Sequence, residues 1–326
     1  MLWPSGSALE GNDPIEYKPD MPGATSPPSA SYAAYMRFGL LGTGPWAERT
    51  HGPALAAHPD VELVGVWGRR AEAASALAAR LETDPWSDAD ALFAACDAVA
   101  IALPPDVQAP LAARAADAGC HLLLDKPLAT TPEAAAEVTQ AVDRAGVASV
   151  VFFTLHFSGT TAAWLRERAE EGSWQIGRAD WLSPVFGGAD SPYTASPWRR
   201  DKGALWDVGP HALSVLLPLL GPVTEITAVR GGTGDTVHLV LRHASGASST
   251  CALSHSVPPV AAGVTAEVRG PHGVAQLPHR EESPTTAFTH AIDTLLHAAH
   301  HSAPHPYDAH FAATVTTLLH TAQSQL

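Results

Sequence analysis

Three short strings in the chain carry residue types suited to one chemistry. Asp125-Lys126-Pro127 offers an ammonium, and Asp207-Val208-Gly209-Pro210-His211 offers a carboxylate and an imidazole. An ammonium can hold a hydroxyl oxygen and stabilise the negative charge that grows on it as hydride leaves. An imidazole has the right proton affinity to take the hydroxyl proton near neutrality. The third string, Gly42-Thr43-Gly44-Pro45-Trp46-Ala47, fits G-x-G-x-x-G/A. Gly42 permits the tight turn, and Gly44 lets a pyrophosphate approach the backbone at a helix N-terminus. Taken singly, these strings read as a glycine turn, a solvated lysine and an acidic cap beside a buried histidine. Taken in order, they describe hydride transfer between an alcohol and a dinucleotide.

The elements that must position these residues follow a strand–helix rhythm. Apolar runs at Arg37–Leu41, Val61–Trp67, Ala98–Leu103, His121–Leu124 and Val150–Phe153 predict strands. Helical patterns over Ala71–Leu81 and Val107–Ala118 separate them, as does one capped by Thr130 or Thr131, with Pro132 in its first turn, that ends before Gly146. Connections of that length imply right-handed crossovers and a parallel sheet. The turn at Gly42 follows the first strand, and Lys126 sits at the end of the fourth, where open α/β sheets bind ligands. Beyond residue 155 the rhythm changes. A helix near Thr161–Glu171 leads to a strand at Ile176–Ser183, an aromatic-rich loop to Ala204 and a helix over His211–Leu220. Five short runs between Val223 and Leu277, separated by Gly- and Pro-containing turns, favour an antiparallel meander, and two helices close the chain. The expected architecture is α/β: an N-terminal Rossmann domain with a doubly wound parallel sheet over 36–154, then a C-terminal α+β domain over 155–326 on an open, mainly antiparallel sheet. Residues 1–35, rich in Pro, Gly and Ser, are expected to be a flexible tail.

Composition narrows the function further. A net charge of −14 argues against a nucleic-acid partner, which requires clustered Lys and Arg. No apolar run reaches the length of a membrane span. The 3 cysteines lack CxxC spacing and there is no apolar leader, so a reducing cytoplasm is expected. The histidines near the C-terminus, His300, His301 and His305, lack metal-ligand spacing and flank a Pro-containing loop, so no metal is assigned.

The order and spacing of these strings resemble the Gfo/Idh/MocA family of nicotinamide-dependent sugar and cyclitol dehydrogenases. Asp125-Lys126-Pro127 is similar to the family's Glu-Lys-Pro, with Asp in place of Glu. The run Gly203–His211 resembles its Gly-Gly-x-x-x-Asp-x-Gly-x-His, with Lys202 in place of the first glycine. Leu103-Pro104-Pro105-Asp106-Val107-Gln108 looks like its Thr-Pro-x-x-x-His turn, which passes the nicotinamide ribose, with Leu103 for Thr and Gln108 for His. The resemblance implies Lys126, Asp207 and His211 as catalytic residues, the Asp orienting the imidazole or fixing the substrate. It implies cofactor contacts by Gly42, Thr43, Gly44, Pro45, Trp46, Ala47, Leu103, Pro104, Pro105, Gln108, Asp125 and Lys126, and a cis bond before Pro127. It implies a pocket drawing on His156, Trp198 and Arg199, with Trp181, Phe186, Tyr193 and Trp206 as aromatic faces. The implied reaction interconverts a secondary alcohol and a ketone on a sugar, cyclitol or sugar derivative, in a homodimer or homotetramer formed through the C-terminal sheet. Relatives also include redox-neutral NAD-dependent glycoside hydrolases, and a non-catalytic sensor on the same fold is a further alternative.

The nicotinamide cofactor is selected at the end of the second strand, where NAD sites carry an acidic residue for the ribose hydroxyls. This chain has Gly68-Arg69-Arg70 there. Two guanidiniums and no carboxylate favour NADP, with Arg69 and Arg70 on the 2′-phosphate, and leave NAD possible.

Overall fold

A strand buried on both faces reads as a continuous apolar run, and the first strand, β1 (Met36–Leu41), buries Phe38, Leu40 and Leu41 completely, with Gly39 buried between them. In the computed structural model, which describes residues 35–326 apart from 189, 190, 192, 195 and 233, β1 lies at the centre of a parallel sheet. The expected tail falls, but for residue 35, outside the described residues. After β1 come α1 (Gly52–Ala57), β2 (Val61–Trp67), α2 (Ala71–Arg80), β3 (Asp84–Trp86), α3 (Ala89–Ala95), β4 (Ala98–Ile101), α4 (Pro105–Asp117), β5 (His121–Leu124), α5 (Pro132–Ala145) and β6 (Ser149–Val151). The strand order is β3-β2-β1-β4-β5-β6, with every pairing parallel. This is the doubly wound sheet read from the sequence. The order reverses between β1 and β4, so a crevice opens at their C-terminal ends.

Alternation along the strands divides the core in two. Phe38, Leu40, Ala100 and Leu123 face α1 and α2, whereas Leu41, Val99, Ile101 and Leu122 face α3, α4 and α5. The sequence reading lacked β3 and α3. The strand is three residues long, holds Pro85 and sits at the sheet edge, where a missing N–H is tolerated. The α5 helix forms as expected: the Thr131 hydroxyl accepts from Ala134 N, Pro132 occupies the first turn, and Gly146 ends the helix in the left-handed region.

The second half comprises α6 (Gly159–Glu171), β7 (Ile176–Leu182), α7 (Pro197–Asp207), α8 (Gly209–Leu220), β8 (Val223–Arg230), β9 (Val237–His243), β10 (Ser248–Ser254), β11 (Gly263–Gly270), β12 (Gly273–Gln276), α9 (Pro284–His301) and α10 (Ala309–Gln323). The sheet order is β12-β11-β7-β10-β9-β8, antiparallel except for β7 beside β10. One cross-strand row, Ala228, Leu239, Cys251, Ala179 and Ala266, is buried; α8 packs on that side of the sheet. On the opposite face Ile176, Val229, Val240 and Val274 are each more than half exposed. The loop expected up to Ala204 instead contains α7, kinked at Gly203, whose φ of 65° suits glycine alone.

The closing helices return to the first sheet. Phe288, Ala291, Ile292 and Leu295 of α9 are fully buried against Phe38, Leu40 and Phe152, while α10 packs along α5. Without α9, one face of the parallel sheet would keep apolar side chains in water, each costing about 1.5–3 kcal/mol.

Candidate active site

The Gly-rich turn is built by contact with the neighbouring crossover. Gly42 has φ of 129°, and a Cβ there would meet the carbonyl oxygen of Ala102 at 2.4 Å. Only glycine lets the loops after β1 and β4 approach this closely at the strand reversal. A Cβ on Gly44 would project into open space, so the turn presents bare backbone to the crevice. That crevice has a volume of about 1150 Å³. Gly44, Pro45 and Trp46 line one part of it, with Arg69 and Arg70 beside them; in strand order Leu103 to Val107 come next, and Asp125 and Lys126, with Trp198 and Arg199, complete the lining at the other end. The residues present fit a dinucleotide, since a glycine cradle, two exposed guanidiniums and a lysine at a strand end border one groove. Ala47, fully buried, packs in the core instead of lining the groove, and Thr43 abuts Gly68.

Gln108 has a different task from the ribose contact implied by the resemblance. It is fully buried; its amide donates to Asp125 O at 2.6 Å and Pro127 O at 3.1 Å and accepts from Asp125 N at 3.0 Å. These bonds hold the loop that presents Lys126, whose peptide to Pro127 is cis.

Lys126 reaches across to the second half of the chain. Its Nζ donates to the Asp207 carbonyl at 2.6 Å and to Asp207 Oδ1 at 2.9 Å. Arg199 Nε donates to Oδ2 of the same carboxylate at 2.7 Å, and the guanidinium lies over the rings of Tyr193 and Trp198, 4.6 and 4.7 Å from their centroids. Burial alone would raise the Asp207 pKa. Lys126, His255 and Arg199 outweigh it and hold the carboxyl well below its ordinary range. Asp207 is therefore a buried anion carrying two cations. The sequence places it beside His211, whereas its carboxylate contacts are Lys126, Arg199 and His255.

His211 lies in the first turn of α8, stacked on Trp181 with centroids 5.1 Å apart and planes 12° apart. Burial and the nearby Lys126 charge push its pKa well below the usual value, against the opposing pull of Asp207, so the ring is neutral at neutral pH. The positive end of the helix acts in the same direction. Neither Asp207 nor His211 is among the residues lining the large crevice; Asp207 is bonded to its Lys126–Arg199 end, and His211 keeps partial exposure. Asp125, also at that end, is pushed up to about 6 by burial.

His156 is not brought to the site. Its Nε2 lies 2.9 Å from Ser214 O, its ring packs 3.7 Å from that of Tyr307, and burial pushes it down to about 3. A ring committed to the interior in this way offers no substrate contact. Trp206 is likewise core, its indole N–H directed to Gln323 Oε1. The residue that sequence reasoning missed is His255, just past β10. No local motif marks it, because its place beside Asp207 exists only after β10 and α7 pack together. Among the described residues no cluster of three or more His, Cys, Asp or Glu could hold a metal.

Two family models match the chain. Residues 36–153 match an oxidoreductase family with an NAD-binding Rossmann fold, and residues 164–276 match the GFO/IDH/MocA C-terminal domain. Among similar proteins is a dTDP-3,4-didehydro-2,6-dideoxy-alpha-D-glucose 3-reductase from Streptomyces antibioticus, 33% identical over 57% of this chain and 57% of its own length. The chain thus matches little more than half of that relative. A D-xylose 1-dehydrogenase (NADP(+)) from Haloferax volcanii is 30% identical over 68% of this chain and 70% of its own. The solved structure of GenD2 from gentamicin A biosynthesis, in complex with NAD, superposes with a TM-score of 0.78 over 93% of this chain and 97% of its own at 21% identity, a likeness of fold. With the Gly42 turn, the Asp-Lys-Pro loop and both domain matches in place, the chain belongs to the Gfo/Idh/MocA oxidoreductase family.

Proposed function

We propose that the chain is an NAD(P)-dependent oxidoreductase that interconverts a secondary alcohol and a ketone on a sugar or sugar derivative. The observation that carries this reading is the Lys126–Asp207–Arg199 cluster at the end of a crevice that begins at a glycine cradle. A nicotinamide bound along the crevice supplies hydride chemistry. The Gly42–Trp46 turn, Leu103 to Pro105 and Asp125 would hold it. Of the three N–H donors of Lys126, two are directed to Asp207, which leaves one for the substrate oxygen. That donor stabilises the developing alkoxide, and Asp207 keeps the ammonium aimed. His211, neutral and close enough to feel the Lys126 charge, takes the hydroxyl proton during oxidation and returns it during reduction. The curated relatives act on sugars and nucleotide-linked sugars by name, which supports the substrate class.

NADP is the favoured cofactor, because Arg69 and Arg70 border the crevice where a carboxylate would select NAD. Residues 36–154 form the cofactor-binding part of this reading and residues 155–326 the substrate-binding part. The half-exposed valines and isoleucine on the open sheet face support the reading of that face as the contact of a homodimer or homotetramer. A monomer in sedimentation at micromolar concentration would overturn that assembly. All three cysteines are buried and free, in keeping with a reducing cytoplasm. The decisive experiment follows nicotinamide absorbance while sugars and nucleotide-linked sugars are offered in both directions. A chain that hydrolyses a glycoside with no net cofactor turnover would sink the dehydrogenase reading.

A further inference from the structure

We propose that His255 is a positioning residue for the hydride-transfer site: its Nε2–H is a third donor to Asp207 and fixes the carboxylate against which Lys126 is held. The proposal rests on the reading of the site given above. His255 follows β10, and its backbone is tied on both sides, N–H to Asp235 Oδ1 at 2.9 Å and carbonyl accepting from Phe186 N at 2.7 Å. The side chain is 1% exposed, with its ring edge-on to Phe186 at 5.7 Å.

Nε2 lies 3.2 Å from Asp207 Oδ2. The contact is within reach but off the hydrogen-bond axis, and neither ring nitrogen has a hydrogen-bond partner among the described residues. A buried donor left unmet carries a desolvation penalty that an apolar side chain of the same size avoids. A small rotation of the ring aligns Nε2–H with Oδ2. That oxygen takes one bond from Arg199 and has a second lone pair to offer.

The neighbouring loop between β8 and β9 fixes the other side of the site. Asp235 accepts from His255 N and Ser256 Oγ through Oδ1 and from Ala204 N through Oδ2, directly after the Gly203 kink. The end of β10 and the half of α7 that carries Asp207 are thus clamped together, and His255 is the side chain that spans them. With Lys126 on Oδ1 and Arg199 and His255 on Oδ2, the carboxylate has no free rotation. The remaining Lys126 N–H then has one direction. Loss of His255 frees the carboxylate to turn, which lowers turnover while leaving the glycine cradle untouched.

The test uses the full chain with 15N-labelled histidine, the His255 signal being assigned by its loss in His255→Gln. The proposal expects the Nε2–H tautomer at neutral pH and a shift of that signal in Asp207→Asn. An Nδ1–H tautomer overturns it, and this readout needs no substrate. With a substrate from the sugar screen, His255→Gln, whose amide reaches the Nε2 position, is expected to keep kcat within about threefold. His255→Leu, similar in bulk and without a donor, is expected to lose about 10–30-fold in kcat with KM and cofactor affinity little changed, the worth of one hydrogen bond to a charged group. Equal losses in Gln and Leu would mean packing alone, and a Leu variant within twofold of the parent would mean no role; either refutes the proposal. If Asp207→Asn loses rate while His255→Leu does not, the His255 inference alone falls. If Asp207→Asn keeps full rate, the reading of the whole site falls with it.

Discussion

Replacing Asp207 with Asn removes one negative charge from a place where two cations converge. Side-chain exposure is 9% for Asp207, 12% for Lys126 and 19% for Arg199, so water screens the contacts weakly. Removing one partner of such a buried pair costs about 3–5 kcal/mol, because the charge left behind stays desolvated. Asn keeps one acceptor, and Lys126 keeps the backbone carbonyl of residue 207, which places the expected loss at the low end, about 3 kcal/mol. The pH dependence has a definite sign. The native carboxyl is held well below its ordinary value, so its contribution is complete above the unfolded pKa near 4 and fades as pH falls through the depressed native pKa. Urea unfolding of parent and variant should therefore show a constant gap from pH 5 to 8 that narrows only below pH 4. A variant as stable as the parent at pH 7 would refute the argument, since desolvation would then outweigh both ion pairs. A gap that closes between pH 8 and 5 would refute it too, because some other group would be titrating.

Three more predictions follow from the site. His211→Ala should lower turnover by about 10²–10⁴-fold, as loss of a general base does, while cofactor affinity measured by fluorescence stays near that of the parent; full activity would dismiss its role. Asp125→Asn should stabilise the fold above pH 6, since the native pKa is raised from 3.8 to about 6 and ionisation there is a penalty. Allowing for partial exposure the gain is on the order of 2 kcal/mol. It should shrink as pH falls from 6 and vanish only below about pH 3, under the unfolded value of 3.8, where the parent is protonated in both states; a gain that persists there would contradict the assignment. Arg69→Ala with Arg70→Ala should erase a preference for NADP over NAD of about tenfold, worth about 1.4 kcal/mol. Equal binding of both cofactors by the parent would show that the two guanidiniums are merely solvated.

The sequence alone determined the features that depend on local chemistry. Alternating apolar runs and helical periods, punctuated by Thr131, Pro132 and Gly146, specify a doubly wound sheet because such signals act within one turn or one strand. Gly42 was legible as a turn residue, and the Gly-rich turn, the Asp-Lys-Pro loop and the Asp-to-His string were legible by their order. What remained hidden depends on contacts between distant segments. The short edge strand β3 holds a proline and has no apolar run to announce it. The kink at Gly203 is fixed by Asp235, far along the chain, and α9 covers the first sheet because that face has no other cover. The site divides in the same way. Lys126 could be named from its string, but its partner in Asp207, the withdrawal of His156 and Gln108 into the interior and the approach of His255 could not. A buried ionic cluster is defined by which side chains the packed elements bring within 3 Å or so of one another, and only the tertiary structure decides that.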